Sequence, residues 1–326
     1  VAIGKKYFLD LIKDEMAEVE KEINLQVNSS IKKISTIGQY IIDSGGKRFR
    51  PGLLLLSAKL FGKVNQQLIT FASLIELLHT ASLVHDDIID GSDFRRGRKS
   101  ANSCWGNDIS VLMGDYFYIK SLALSLEAGN FRIMNILTNV TIKMIEGEMI
   151  QIESSRDMDI SEAHYFDIIK RKTAYLFSAC CIIPAILQGA TPKQEEALEK
   201  FGLNVGIAFQ LMDDMLDLDS KQKIIGKPVG SDLKEGKLTL PVIYLLERGT
   251  PGHAEKIKTV LTERNFNKVS REEIYNDLIE YKIIEATRAI ATSYAEKAAS
   301  YLDIFPDSRV KKAMQSIPQL FVNRSF

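Results

Sequence analysis

The sequence predicts an all-α protein built from long helices, and three observations carry that expectation. Nearly every extended stretch repeats its apolar residues with helical period. The alternation that marks a half-buried strand is scarce. The middle stretches are apolar over wide faces, as helices inside a bundle must be. The 326 residues are 45% hydrophobic and 26% charged, enough for a sizeable core, and no low-complexity linker or short-period repeat divides them. Residues 1–326 are therefore expected to form one domain.

Residues 7–27 place Leu9, Ile12, Met16, Val19 and Ile23 on one stripe, giving a first amphipathic helix. Residues 31–42 give a second, stopped by Ser44-Gly45-Gly46. Pro51 sits where prolines favour a helix start and opens a third. Residues 66–90 form a long, mostly apolar helix that Gly91-Ser92-Asp93 terminates. Further helices are expected at 108–127, 131–154, 161–189 (kinked at Pro184), 192–219 and 238–248, with amphipathic segments continuing to Ser316.

Lys+Arg and Asp+Glu both number 42, and no basic block stands out, which argues against nucleic acid as a partner. Cys104, Cys180 and Cys181 are odd in number and two are adjacent, so they read as free buried thiols in a reducing cytoplasm. The longest apolar run, 179–187, contains Pro184 and is far too short to span a bilayer, so no transmembrane segment is expected. No signal peptide is evident, although Val1 is not an initiator methionine.

Chemistry concentrates in two acidic triplets, Asp86-Asp87-Ile88-Ile89-Asp90 and Asp213-Asp214-Met215-Leu216-Asp217. On a helix, positions i and i+4 share a face and i+1 lies three residues from i+4, so all three carboxylates are expected to reach one side. Such crowding repels and calls for a cation, with a divalent metal the first candidate. Basic clusters accompany the triplets: Lys47, Arg48 and Arg50 in Gly45-Gly46-Lys47-Arg48-Phe49-Arg50-Pro51, then Arg95-Arg96-Gly97-Arg98, and Lys227 and Lys237 in the stretch 226–237. Arginine matches phosphate oxygens with a planar fork, and lysine serves as a mobile point charge. Mg²⁺ prefers one or two carboxylates completed by substrate phosphates and water. The combination suggests two carboxylate walls holding metal and a diphosphate joined to something greasy. Singly, an Asp-Asp-x-x-Asp is more often a solvated face and an Arg-Arg-Gly a surface turn. The second copy, with basic turns near both, reverses that weighing.

In order along the chain, these motifs resemble the all-trans polyprenyl diphosphate synthases, most of all the long-chain, octaprenyl-type bacterial members. The resemblance rests on Gly-Gly-Lys-Arg-Phe-Arg-Pro, on His85-Asp86-Asp87-Ile88-Ile89-Asp90 with Arg95-Arg96-Gly97, and on Lys172-Thr173-Ala174. It continues through Phe209-Gln210-Leu211-Met212-Asp213-Asp214, Gly226-Lys227-Pro228 and Asp232-Leu233-Lys234-Glu235-Gly236-Lys237. It implies the isoprenoid synthase fold, a helix bundle around a central cavity, and a trans-prenyltransferase that joins an allylic diphosphate to successive isopentenyl diphosphates. It further implies three Mg²⁺ ions, or Mn²⁺ in their place, held by Asp86, Asp87, Asp90, Asp213, Asp214 and Asp217. Arg95, Lys172, Lys227 and Lys237 would support the allylic diphosphate. Lys47, Arg50, His79 and Arg96 would take isopentenyl diphosphate, with Thr173 and Gln210 near the forming cation. A cytoplasmic homodimer, touching membrane only peripherally to release product, completes the implied picture.

His79 and His85 are six residues apart and do not share a face as zinc ligands would. Apart from the resemblance, His79 reads as a satisfied core histidine, and His85 as a residue that orients Asp86. His164 and His253 read as surface or structural, and Trp105 as core. Chain length is expected to depend on the turns before Asp86, where short-chain relatives commonly carry aromatics. Here Ser82 and Ala81 are small, with Leu78, Leu74 and Phe71 further down, and the first triplet lacks a two-residue insertion. A helix of about 25 residues extends roughly 37 Å, long enough to line a tunnel for a product of about C30–C50, nominally C40. Phe131, Met134 or Leu137 would form its floor. A bland reading of Ala81 and Ser82 is tight helix packing. Three alternatives stay open: a shorter-chain farnesyl or geranylgeranyl diphosphate synthase, a class I terpene cyclase, and a noncatalytic diphosphate-binding subunit of a heteromeric synthase.

Overall fold

The computed structural model describes residues 8, 10–218 and 230–323. Leu9 and Lys227, both named above, lie outside the described residues. In chain order the helices are α1 (Lys13–Gln26), α2 (Lys32–Asp43), α3 (Phe49–Lys59) and α4 (Gln66–Ile89). A hairpin of β1 (Phe94–Arg95) and β2 (Arg98–Lys99) leads to α5 (Ala101–Trp105), α6 (Asn107–Glu127), α7 (Phe131–Glu153) and α8 (Glu162–Ile169). A π-helical turn, Lys170–Ala174, joins α8 to α9 (Tyr175–Leu187), and α10 (Pro192–Leu218) follows. The rest comprises α11 (Ser231–Glu235), α12 (Leu240–Arg248), α13 (Pro251–Glu263), α14 (Arg271–Glu280), α15 (Ile283–Tyr301) and α16 (Arg309–Val322).

Two long helices, α4 and α10, organise the bundle. The Asn65 side chain accepts the Leu68 N–H at 3.0 Å and starts α4. Gly91 ends it in the left-handed region (φ 62°), while the Ser92 N–H reaches back to the Asp87 carbonyl. Between these caps Leu68, Phe71, Leu74, Ile75, Leu77, Leu78 and Ala81 are all buried, which is the wide apolar face the sequence implied. Each such large side chain contributes roughly 1.5–3 kcal/mol of burial free energy. Helix α6 lies along α4 through Met113, Phe117 and Leu124. Helix α10 ties two cores together: Leu198, Phe201 and Val205 join the one around α4, whereas Ile207, Leu211, Met212 and Met215 join one built with α12 to α15.

Close helix approach depends on absent side chains. A Cβ on Gly206 would lie 2.6 Å from Ala174 Cα, and one on Gly147 would lie 2.7 Å from Arg171 Cβ. These two glycines let the π-helical turn seat against α10 on one side and α7 on the other.

Several expectations are corrected. The helix predicted at 161–189 is interrupted by the π-helical turn at Lys170–Ala174, well before Pro184, which lies inside α9. Arg96-Gly97 is the tight turn of a small hairpin, with positive φ at both residues, so the chain is not wholly without strands. Cys180 and Cys181 are buried and free, but Cys104 is exposed. Trp105 is half-buried, with its ring edge-on to Tyr40 at 4.9 Å. Helices α4 and α6 are long and apolar enough to cross a membrane by length and composition, but the apolar stretch of α4 is 72% buried within the protein. That burial marks α4 as a core helix.

Candidate active site

The first acidic triplet ends α4, where the helix carries partial negative charge, and the second lies in the last described turns of α10. Neither last turn carries a basic residue. The two helix ends meet at a cleft of about 440 Å³. Asp86 and Asp90 line it from α4, and Asp213 and Asp214 from α10, joined by Asp232 at the start of α11.

The expectation that all three carboxylates of a triplet share one side is corrected. Asp86 and Asp90 face the cleft, but Asp87 is buried behind it, where Arg95 Nε contacts both its oxygens at 2.8 and 2.7 Å and Arg95 Nη2 lies 2.7 Å away. The second triplet divides differently, with Asp213 and Asp214 on the cleft and Asp217 away from it. Asp213 is exposed to the cleft. Asp214 is buried, accepting from Tyr165 Oη at 2.6 Å and Gln210 Nε2 at 2.7 Å. Asp217 accepts from Ser231 Oγ at 2.9 Å and the Asp232 N–H at 3.1 Å, which fastens α11 to the end of α10. In the first triplet, one residue of rotation, about 100° on a helix of 3.6 residues per turn, explains why Asp87 leaves the face that Asp86 and Asp90 share.

The electrostatics of the cleft call for a cation. Burial pushes the Asp86 carboxyl up to about 6, with Glu148 and Asp90 adding to the rise and Lys172 opposing it. Its side chain accepts no hydrogen bond from any described residue. Burial likewise pushes Asp214 up to about 8, with Asp232 and Asp213 raising it further and the Tyr165 and Gln210 donors opposing. No three of the described His, Cys, Asp or Glu side chains converge into a ready-made metal cage. A donor set of one or two carboxylates from each helix end fits a hard divalent ion whose remaining ligands are phosphate oxygens and water.

Cations ring the same cleft. Lys237 Nζ donates to Asp90 Oδ1 at 2.8 Å and Glu235 Oε2 at 2.7 Å, and these carboxylates outweigh burial and raise its pKa. Lys172, on the π-helical turn, reaches Gln151 Oε1 at 2.6 Å and Glu148 Oε2 at 2.5 Å. Lys47, Arg50 and Arg96 gather with His79 beside the N-terminus of α3, the positive end of that helix. Arg50 is half-buried over the Phe177 ring, 4.8 Å from its centroid, and its buried Nε has no hydrogen-bond partner. Arg50 Nη1 lies 2.9 Å from His79 Nε2. Burial and the surrounding arginines hold His79 well below its usual pKa, so the neutral ring accepts through Nε2 and orients Arg50. An orphaned guanidinium N–H in a basic recess fits an anionic ligand.

Thr173 Oγ1 donates to Gln210 Oε1 at 2.8 Å, so the two residues expected near a forming cation touch each other in the cleft wall. His85 makes no contact that orients Asp86. Its Nε2 lies 3.1 Å from the Val111 carbonyl, and its ring sits over Gly114 of α6. His253 caps α13 through Thr250, a structural role.

A second, apolar cavity of about 470 Å³ lies between α4, α6 and α7. Ser82, Asp86 and Lys172 line both spaces, and Tyr118, Met144, Ile145, Met149 and Ile152 extend the second. Ala81 and Leu78 are fully packed in the core and line neither cavity; for Ala81 the packing alternative prevails. Phe131 is 73% exposed at the start of α7, which removes it as a cavity floor within one chain.

Sequence reasoning missed Tyr165, Glu76 and Asp232. Glu76 is the one carboxylate of α4 ahead of the acidic triplet, in an otherwise apolar stretch, a legible signal. Arg48 Nη1 donates to it at 2.7 Å, and Arg48 Nε to Glu20 at 2.6 Å, so Arg48 lines the cleft with its guanidinium already committed to two carboxylates. Asp232 belongs to the motif that ends at Lys237 but to neither acidic triplet, so its charge carried little weight. Tyr165 carried no signal, because buried aromatics on a helix ordinarily mean core.

Comparison with known proteins agrees with this geometry. The family profile "Polyprenyl synthetase" matches residues 31–278. The chain is 37% identical to octaprenyl diphosphate synthase of Escherichia coli (strain K12) over 315 residues, 97% of each chain. It superposes with a TM-score of 0.94 on a polyprenyl synthase of Caulobacter crescentus, solved with calcium and isoprenyl diphosphate, at 33% identity over 99% of both chains. A decaprenyl diphosphate synthase of Rhodobacter capsulatus matches with a TM-score of 0.90 and 34% identity over 97% of both. With paired acidic helix ends, ringing cations and an adjoining apolar cavity in one all-α fold, the chain belongs to the polyprenyl synthetase family and is a prenyltransferase enzyme.

Proposed function

We propose that this enzyme condenses an allylic diphosphate, such as farnesyl diphosphate, with successive isopentenyl diphosphates to give a long all-trans polyprenyl diphosphate. The observation that carries this reading is that the charged cleft and the apolar cavity share Ser82, Asp86 and Lys172 in their walls, which sets diphosphate chemistry beside an apolar space.

Asp86, Asp90 and Asp213 hold Mg²⁺ together with the allylic diphosphate, and the calcium and isoprenyl diphosphate bound by the Caulobacter relative support that assignment. The bound metal supplies Lewis-acid neutralisation of the leaving diphosphate. Lys172 and Lys237 add positive charge beside it, and Arg95 does so while anchored on Asp87. Lys47, Arg50 and Arg96 bind isopentenyl diphosphate at the α3 N-terminus, with neutral His79 aligning Arg50. As the allylic C–O bond lengthens, Thr173 and Gln210 present dipoles to the electron-poor carbon. The isopentenyl double bond attacks that carbon, a proton is lost to the departing diphosphate, and the lengthened chain moves into the apolar space. Phe49, Phe209 and Leu83 help exclude the water that would trap the cation.

A long product is favoured because the residue between the cleft and the apolar cavity, Ser82, is small. The octaprenyl and decaprenyl products named for the Escherichia coli and Rhodobacter relatives support the same length class. Residues 1–326 act as one domain, since α10 is common to both cores. A homodimer is supported by the exposed apolar stripes on α6 and α7, of which Ile145, Met149 and Ile152 also line the apolar cavity.

Ser82→Phe places a ring at the junction of the two cavities and tests this reading. The expected result is a product shortened by several C5 units with the first condensation retained, read by mass spectrometry. Wild-type product length in that variant would refute the assigned passage.

A further inference from the structure

Tyr165 belongs to none of the charged motifs, yet it enters the cleft wall from α8. Its ring is buried against Phe166, with centroids 5.6 Å apart at 74°, and its hydroxyl donates to Asp214 Oδ2 at 2.6 Å. Gln210 Nε2 donates to the other carboxyl oxygen, Oδ1, at 2.7 Å, and Gln210 Oε1 accepts from Thr173 Oγ1 at 2.8 Å. The chain Tyr165–Asp214–Gln210–Thr173 has one consistent polarity. With the Tyr165 hydroxyl donating to Oδ2 and the Gln210 NH₂ to Oδ1, the Gln210 carbonyl is left to face Thr173. Thr173 has a single hydroxyl proton, and that carbonyl takes it. The lone pairs of the Thr173 oxygen are then left for the cleft.

We propose that Tyr165 is a positioning residue that, by clamping Asp214, fixes the polarity of this chain and so aims the electron-rich side of the Thr173 oxygen at the carbon that turns cationic during prenyl transfer. The inference rests on the function proposed above. Without the Tyr165 hydroxyl, the Asp214 carboxyl loses one of its two anchors and can rotate, so Gln210 loses the fixed acceptor that holds its amide in place. Its NH₂ would then face Thr173 and push the hydroxyl proton into the cleft, presenting the wrong end of the dipole to a developing positive charge. In a water-poor cleft that reversal acts at close to full strength.

The test is a double-mutant cycle on kcat with Tyr165→Phe, Thr173→Val and the combined variant, alongside the wild-type enzyme. Tyr165→Phe is expected to lower kcat by about 10- to 100-fold. KM for isopentenyl diphosphate should stay within about twofold, because that substrate's cations act independently of this chain. In the Thr173→Val background, Tyr165→Phe should cost less than about threefold, since the two substitutions break one chain. Equal losses in both backgrounds, or a wild-type kcat in Tyr165→Phe, overturn the proposal. Should Tyr165→Phe fail to fold, Asp214→Asn replaces it in the same cycle, and additivity with Thr173→Val again overturns the proposal. An inactive wild-type chain would instead remove the underlying function, so the two failures are distinguishable.

Discussion

Asp86 and Asp213 open their triplets on the cleft side, while Asp87 and Asp214 turn to protein donors. This division gives neighbouring carboxylates opposite sensitivities. Asp86→Ala removes a cleft-lining carboxylate that accepts no hydrogen bond from any described residue, so turnover should fall by about 100-fold or more with little change in thermal midpoint. Asp87→Ala leaves the Arg95 guanidinium partly buried without its counter-ion, a loss of roughly 3–5 kcal/mol, so its thermal midpoint should drop. Calorimetry and steady-state rates on the two variants separate these effects, and identical behaviour of both would contradict the division. The spacing of Asp86 to Asp90 was legible because i and i+4 share a face on any helix. The fate of Asp87 was not, because its partner Arg95 arrives through the hairpin, whose geometry no local pattern specifies.

Helices α6 and α7 carry a feature the fold leaves unpartnered. On α6, Leu112, Ile119 and Leu126 recur every seven residues and are 66%, 65% and 58% exposed. On α7, Ile142, Ile145, Met149 and Ile152 repeat at intervals of three and four and are likewise exposed. Such stripes match the seam of packed helices, and a second copy of the chain is the partner that fits an isologous contact. Leu112→Glu combined with Ile119→Glu should convert a species of twice the chain mass into one of single mass by light scattering. A wild-type chain already monomeric at micromolar concentration would contradict the dimer. At this scale the sequence was informative where caps and periods agree, as at Asn65 and Gly91 bounding α4. It was silent at the π-helical turn, because one extra residue barely disturbs the apolar period. Yet that turn is what brings Lys172 to the cleft and Thr173 against Gln210.

Across the whole molecule, helix polarity and side-chain charge reinforce one another. The C-terminal ends of α4 and α10 converge with their carboxylates, and the N-terminal end of α3 adds its positive pole to Lys47, Arg50 and Arg96. One end of the cleft therefore suits metal and leaving diphosphate, and the other a second diphosphate. The apolar cavity beside Ser82 gives the growing tail somewhere to go. The all-α class, the paired acidic walls and the basic clusters were all legible in sequence, since each depends on short-range period or composition. The lining of the apolar cavity was legible only in part: Ser82 was expected there and lines it, Tyr118 and Met144 were not expected, and Ala81 and Leu78 pack in the core. Incubating the purified chain with labelled isopentenyl diphosphate, farnesyl diphosphate and Mg²⁺, then weighing the extracted product, tests the central claim most directly. A metal-dependent all-trans product of about C30–C50 is the expected result for an apolar passage alongside a helix of roughly 37 Å. No incorporation of label, or a product ending at about C20 or shorter despite that helix length, would contradict it.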